Sequence, residues 1–261
     1  MPPILVSSQP VIDRITLRCP RLPQSFDGLR ILHLSDLHLT NWTPRMERWR
    51  LALSQLRADA VMITGDLGHR SWLWRRGLPG LQRLLGGLRT PLGVFFILGN
   101  HDALETAREL QANGMKSLSN EAVILRHGAD RLAIIGLAQH RRIDADIPAA
   151  LTHVRPTDFK LMLLHYPDMV YAALAAGADV CLAGHTHGGQ ICLPDGRPLI
   201  GHDSLPADFC TGVHRIKNTW LVVNRGIGKA GVRLRLFCPA QAIFLTLRRG
   251  PASVDGQPES S

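Results

Sequence analysis

Short apolar runs recur along the chain, and each stops at a cluster of polar residues. Arg30–Leu34 leads into Ser35-Asp36-Leu37-His38, and Ala60–Thr64 into Gly65-Asp66. Val94–Leu98 leads into Gly99-Asn100-His101-Asp102, Leu161–Leu164 into His165, and Val180–Ala183 into Gly184-His185-Thr186-His187. Runs of this length, rich in β-branched and aromatic residues, predict buried strands. Val11–Leu17 alternates apolar and polar positions, the pattern of a half-buried strand. Between the runs the spacing turns helical: Arg45–Arg57 carries Met46, Trp49, Leu53 and Leu56, and Ala103–Ala112 and Met169–Ala176 are similar. Alternating strands and helices predict an α/β fold. Ala122–Leu125 and Leu132–Leu137 predict a hairpin turning through His127-Gly128-Ala129-Asp130. Beyond residue 188 the pattern changes to short strands and turns, clearest at Trp220–Val223 and Ala242–Leu247, so a mixed sheet is expected.

A length of 261 residues fits one domain, taken as 1–249, followed by a small polar tail, 250–261, expected to be disordered. With 45% hydrophobic and 20% charged residues, the chain is neither disordered nor a coiled coil. Its longest apolar run, Leu92–Leu98, falls short of the about 20 residues that span a bilayer. The N-terminus lacks a basic start and a sustained apolar stretch, so no signal peptide is expected and a cytoplasmic location is. Five scattered cysteines, none in a CxxC pair, read as small buried side chains in a reducing compartment.

The net charge of +9 favours an anionic partner: nucleic acid, a phosphorylated substrate or an acidic membrane. With only 5% aromatic residues and no recognisable reading module, no nucleic-acid partner is expected. The segment 69–89 carries Arg70, Arg75, Arg76, Arg83 and Arg89 among tryptophans and leucines, with no acid. That composition suits a membrane–water interface, or equally a core-facing helix with a basic outer side. Pro79, Gly80, Gly86 and Gly87 argue against a long regular helix there. Trp42, His69 and Arg70, close in sequence to the first two polar clusters, are candidate substrate contacts.

The polar clusters at the strand ends carry the chemistry, because ligands of open α/β sheets bind at the carboxyl ends of strands. Asp36, His38, Asp66, Asn100, His101, Asp102, His165, His185 and His187 form a metal-ligand inventory. Asp36/His38 and His185/His187 are i,i+2 pairs, which in extended backbone point to one side.

The ordered set D-x-H, G-D, G-N-H-D, H and G-H-x-H resembles the calcineurin-like metallophosphoesterases across roughly residues 25–249. The stretches Gly184–Ile191, Asn224–Gly228 and Arg233–Pro239 resemble a bacterial membrane-associated branch that includes UDP-2,3-diacylglucosamine pyrophosphatases. The resemblance implies a four-layer α/β/β/α sandwich of two mixed sheets. It implies two divalent cations, manganese first with iron or zinc as alternatives. Asp36, His38, Asp66 and His187 would hold one, and Asp66, Asn100, His165 and His185 the other, with Asp66 bridging. His101 would act on the leaving oxygen and Asp102 would orient it. His69 stands where many members have a second acid three positions after the G-D carboxylate.

The implied activity is hydrolysis of a phosphodiester or pyrophosphate by metal-activated hydroxide. The implied substrate is a lipid-linked nucleotide such as UDP-2,3-diacylglucosamine, giving UMP and the acyl-sugar 1-phosphate, with peripheral contact to an anionic membrane. The alternative is a broad phosphodiesterase on soluble nucleotides.

Overall fold

The computed structural model describes residues 9–68, 74–139, 144–199, 204–231 and 234–256. Strands β1 (Val11–Cys19), β2 (Leu29–Leu34), β3 (Ala60–Thr64), β4 (Gly93–Ile97) and β5 (Lys116–Ser117) form one sheet with two later strands, β12 (Gln241–Arg249) and β13 (Ser253–Asp255). A second sheet holds β6 (Glu121–His127), β7 (Asp130–Gly136), β8 (Phe159–Leu163), β9 (Val180–Ala183), β10 (Gly212–Ile216) and β11 (Thr219–Val223). The orders are β13-β1-β12-β2-β3-β4-β5 and β10-β11-β9-β8-β7-β6. Both sheets are mixed: β12 runs parallel to β1 and antiparallel to β2, while β7, β8, β9 and β11 are parallel.

Side-chain alternation along the strands builds the layers. Ile31, Met62, Phe95 and Ile97 of the first sheet meet Ile134, Leu161, Leu163, Leu182 and Val222 of the second in a central core. Their neighbours Leu32, Leu34, Val61, Ile63 and Phe96 point the other way, onto helices α1 (Pro44–Ser54), α2 (Trp74–Leu85) and α3 (Leu104–Ala112). Ile135, Met162, Cys181, Leu221 and Val223 likewise face away from the first sheet, onto α4 (Ile147–Ala150) and α5 (Val170–Ala175). Three apolar layers therefore separate four structural ones, the α/β/β/α sandwich, and strands buried on both faces read as continuous apolar runs. All five cysteines are buried free thiols.

Two expectations are corrected. Part of the tail is ordered: β13 pairs antiparallel with β1, Leu17 opposite Val254, and Ala252 and Val254 pack on the central core. A three-residue strand carries too few apolar positions to show as a run. In the segment 69–89, residues 69–73 lie outside the described residues, but 74–85 is a regular helix despite Pro79. Its leucines do not face outward. Leu81, Leu84 and Leu85 are buried against α1 and the first sheet, with Leu78 and Leu88 packed beside them. Among the described residues no helix is long and apolar enough to cross a membrane.

Candidate metal centre

The C-terminal ends of β2, β3 and β4 in one sheet and β8, β9 and β11 in the other deliver the polar clusters to one place. Asp36, His38 and His187 bring one ligand atom each to within 4.8 Å of one another, and Asp36, Asp66 and His165 do the same. His38 Nε2 lies 3.1 Å from His187 Nε2. Asp66 faces both sides: Oδ2 is 3.6 Å from His38 Nε2 and Oδ1 is 3.6 Å from His165 Nε2. Asn100 Oδ1 lies 2.9 Å from His165 Nε2. The His185 ring stacks edge-on to His165 at 4.9 Å, and its backbone amide donates to Asp36 Oδ2.

The extended i,i+2 geometry is not how these side chains converge. Asp36, His38, Asp66, His185 and His187 all have left-handed backbone, with φ of 48°, 44°, 55°, 68° and 52°. Such residues cost about 1–3 kcal/mol each and persist where surrounding structure over-determines them. The coiled loops split the second pair, sending His187 toward Asp36 and His38 and leaving His185 against His165. Close packing holds the loops in place. A Cβ at Gly99 would strike Asp66 Oδ1, and one at Gly184 would overlap Ser35 Oγ.

Burial sets the electrostatics. It pushes the Asp36 carboxyl up to about 7, against a smaller lowering by His165. It raises Asp66 well above the usual carboxylate range, with Asp102 adding to the effect, and drives His187 well below the usual imidazole value. Asp36 Oδ1 is buried without a hydrogen-bond donor, 3.5 Å from His187 Nε2. A buried carboxylate oxygen lacking a donor, with imidazole nitrogens converging on it, fits a divalent cation, whose charge offsets the desolvation. The mixed carboxylate, imidazole and amide donors suit manganese, iron or zinc.

His101 is half-buried, its ring edge-on to His38 at 5.3 Å, and its backbone amide donates to Asp66 Oδ1 at 2.9 Å. Asp102 is the next residue along the loop. Its oxygens accept from the Gly68 and Gly99 amides, so this buried carboxylate ties the second polar loop to the third. Trp42 packs beside the helical core, donates to Glu47 and lies under the Arg83 guanidinium, in the packing role of a helix-flanking residue. His69 and Arg70 lie outside the described residues.

Several supporting residues escaped the reading of the sequence. Arg235 is buried, and it donates to the carbonyls of Arg225, Gly226, Gly228 and His187 and to His187 Nδ1 at 3.2 Å. Gln139 accepts from the His165 amide, and Asn224 ties the β2 backbone at His33 to Gly226. Asn224 and Arg235 lie in stretches that carried the family resemblance, but nothing in the local sequence showed what they hold.

The pattern of the calcineurin-like phosphoesterase family matches residues 29–189. The chain is 27% identical to the uncharacterized metallophosphoesterase YkuE of Bacillus subtilis, over 89% of this chain and 84% of that one. It is 26% identical to the UDP-2,3-diacylglucosamine pyrophosphatase LpxG of Chlamydia muridarum, over 91% of this chain and 90% of that one. The phosphopantetheinyl hydrolase of Mycobacterium tuberculosis superposes with a TM-score of 0.43 at 10% identity, over 78% of this chain and 90% of that one.

Proposed function

This chain belongs to the calcineurin-like phosphoesterase family and is a metal-dependent phosphoester hydrolase, and from that premise we propose that its substrate is a lipid-linked nucleotide. The specific case is UDP-2,3-diacylglucosamine, cleaved to UMP and the acyl-sugar 1-phosphate. The observation that carries the chemistry is the Asp66 carboxylate, with one oxygen toward His38 and the other toward His165. The likeness to LpxG along nearly the whole of both chains supports the choice of substrate.

In this reading Asp36, His38, Asp66 and His187 would hold one divalent cation, and Asp66, Asn100, His165 and His185 the other. Two such cations supply charge neutralisation at the phosphoryl group and lower the pKa of water. The chain's own residues do the rest. Asp66 spans the two sides of the site. Asp102, by holding the Gly68 and Gly99 amides, fixes the loops that present Asp66 and Asn100. His101, anchored through its amide to Asp66, donates a proton to the leaving oxygen. Peripheral contact with an anionic membrane accompanies a lipid-linked substrate.

The test is to assay the manganese-loaded protein on UDP-2,3-diacylglucosamine beside bis(p-nitrophenyl) phosphate, following UMP. Release of UMP that depends on the acyl chains supports the proposal. Cleavage of the small diester alone rejects the lipid-linked substrate and leaves the hydrolase.

A further inference from the structure

Seven large apolar side chains are well exposed among the described residues, and four of them fall on two paired stretches of one loop region. Leu193 and Leu199, 38% and 58% exposed, lie on the turn that follows the His187 loop. Leu234 and Phe237, 39% and 44% exposed, lie on the stretch beside it. Ile191 bridges Leu236 in parallel, the Cys192 amide donates to Leu236 and the Leu236 amide to Gln190. The Leu199 amide donates to Ile191 and the Leu193 amide to Arg197, closing the turn. The platform is pinned from below. Arg235, between Leu234 and Leu236, points inward and bonds His187, Arg225, Gly226 and Gly228, while Gln190 exchanges two hydrogen bonds with Ala230. Phe237 has φ of 51°, a left-handed conformation for a bulky residue, and holds its ring at the surface there.

Charge on the two stretches is one-sided. Residues 191–199 and 225–238 carry Arg197, Arg225, Lys229, Arg233 and Arg235 against a single acid, Asp195. Of the described cations Arg197 and Lys229 reach the surface, while Arg235 is buried and Arg225 pairs with Asp13. Apolar side chains beside surface cations, on a chain carrying +9, match an anionic lipid surface, where apolar groups enter the acyl boundary and cations meet headgroups. A second copy of a chain carrying +9 would bring like charges together.

We propose that the ridge of Leu193, Leu199, Leu234 and Phe237 docks this protein on anionic phospholipid bilayers. The ridge adjoins the metal centre through Arg235 and His187, so docking places lipid headgroups beside the ligand loops. The inference rests on the lipid-linked reading for its purpose, while its measurement is independent of hydrolysis.

The test is flotation of the full chain with vesicles of phosphatidylcholine alone or with phosphatidylglycerol added. The expected result is binding that needs phosphatidylglycerol and weakens with salt. Leu199→Asp combined with Phe237→Asp should reduce it at least about 10-fold, given the apolar area withdrawn from lipid. Leu51→Asp combined with Leu104→Asp, which adds the same charge at exposed leucines on α1 and α3, should leave it unchanged, as should Leu51→Asp alone. Unfolding midpoints within about 2 °C of the parent show that the variants fold, and Leu199→Asp alone serves if the pair does not. Parental binding by the ridge variant, an equal loss in either control, or no binding to phosphatidylglycerol vesicles overturns the proposal. A dimer in solution that Leu199→Asp dissociates also overturns it and gives the ridge to a second copy. Failure to hydrolyse bis(p-nitrophenyl) phosphate with manganese would count against the hydrolase reading and not against docking.

Discussion

His165 Nδ1 donates to the carbonyl oxygen of Thr64, the last residue of β3, at 2.8 Å. A carbonyl only accepts, so the neutral ring carries its proton on Nδ1 and presents an unprotonated Nε2 to the site. Nε2 then sits 2.9 Å from Asn100 Oδ1, one acceptor facing another. A cation held by both would resolve that contact, and orienting an imidazole through its far nitrogen is what supporting carbonyls do in metal sites. Asn100→Ala should therefore bind about one cation per chain where the parent binds about two. Asn100→Asp, which keeps an oxygen there, should retain both. Elemental analysis of the purified variants decides it, and a full complement in Asn100→Ala would remove Asn100 from the ligand set.

His101 lies beside His38 but is held through its backbone, which separates proton donation from metal binding. His101→Ala should keep its metal and lose about 10²–10⁴-fold in turnover. The loss should be largest for poor leaving groups and small for p-nitrophenolate, which needs no proton. A series of aryl phosphodiesters reads the leaving-group dependence. Equal losses across the series would assign His101 another role.

Arg235 is the anchor common to the His187 loop and the ridge. Its guanidinium donates to several carbonyls, and Arg235→Met would strip it from the Arg225 and Gly228 oxygens, while Gly226 keeps the Gln241 amide and His187 the Gln190 amide. Removing such a buried charged donor costs about 3 kcal/mol. That corresponds to a fall of roughly 6–12 °C in the unfolding midpoint for a chain of this size. Calorimetry of the metal-free protein measures it apart from any metal effect, and an unchanged midpoint would contradict the anchoring role.

His33 is fully buried in β2 and should make stability depend on pH. Thr64 Oγ1 gives its only proton to Ser35 Oγ, so it accepts from His33 Nε2. Burial lowers the His33 pKa from 6.5 to about 3. Between those values the unfolded chain binds a proton that the folded chain does not. The contribution is therefore neutral above about pH 6.5 and grows destabilising as pH falls toward 3, by up to about 1.4 kcal/mol per pH unit. Urea unfolding from pH 7.5 down to 4.5 should show His33→Gln losing less stability than the parent. Parallel curves for the two proteins would contradict it.

The parts of the molecule legible in the sequence are those set by local pattern. The runs before Ser35, Gly65, Gly99, His165 and Gly184 became β2, β3, β4, β8 and β9, because strands buried on both faces must be apolar throughout. The polar residues following them gather at one place because those strands are parallel. What the sequence hid depends on distant partners. The place of β12 between β1 and β2 joins residues more than 200 positions apart. The left-handed φ at Asp36 and His187 follows from packing around Gly184 and Arg235, which no local spacing encodes. Pro79 argued against a helix, yet burial of Leu81, Leu84 and Leu85 outweighs one missing hydrogen bond.

If Asp66 joins two cations into one hydrolytic centre, Asp66→Asn should break that centre. The amide keeps the shape and cannot supply a second anionic oxygen. Bound metal by elemental analysis and hydrolysis of bis(p-nitrophenyl) phosphate should be measured on the same preparation. The expected result is loss of at least one cation and of essentially all turnover in a protein that remains folded. A full metal complement with parental turnover would contradict it.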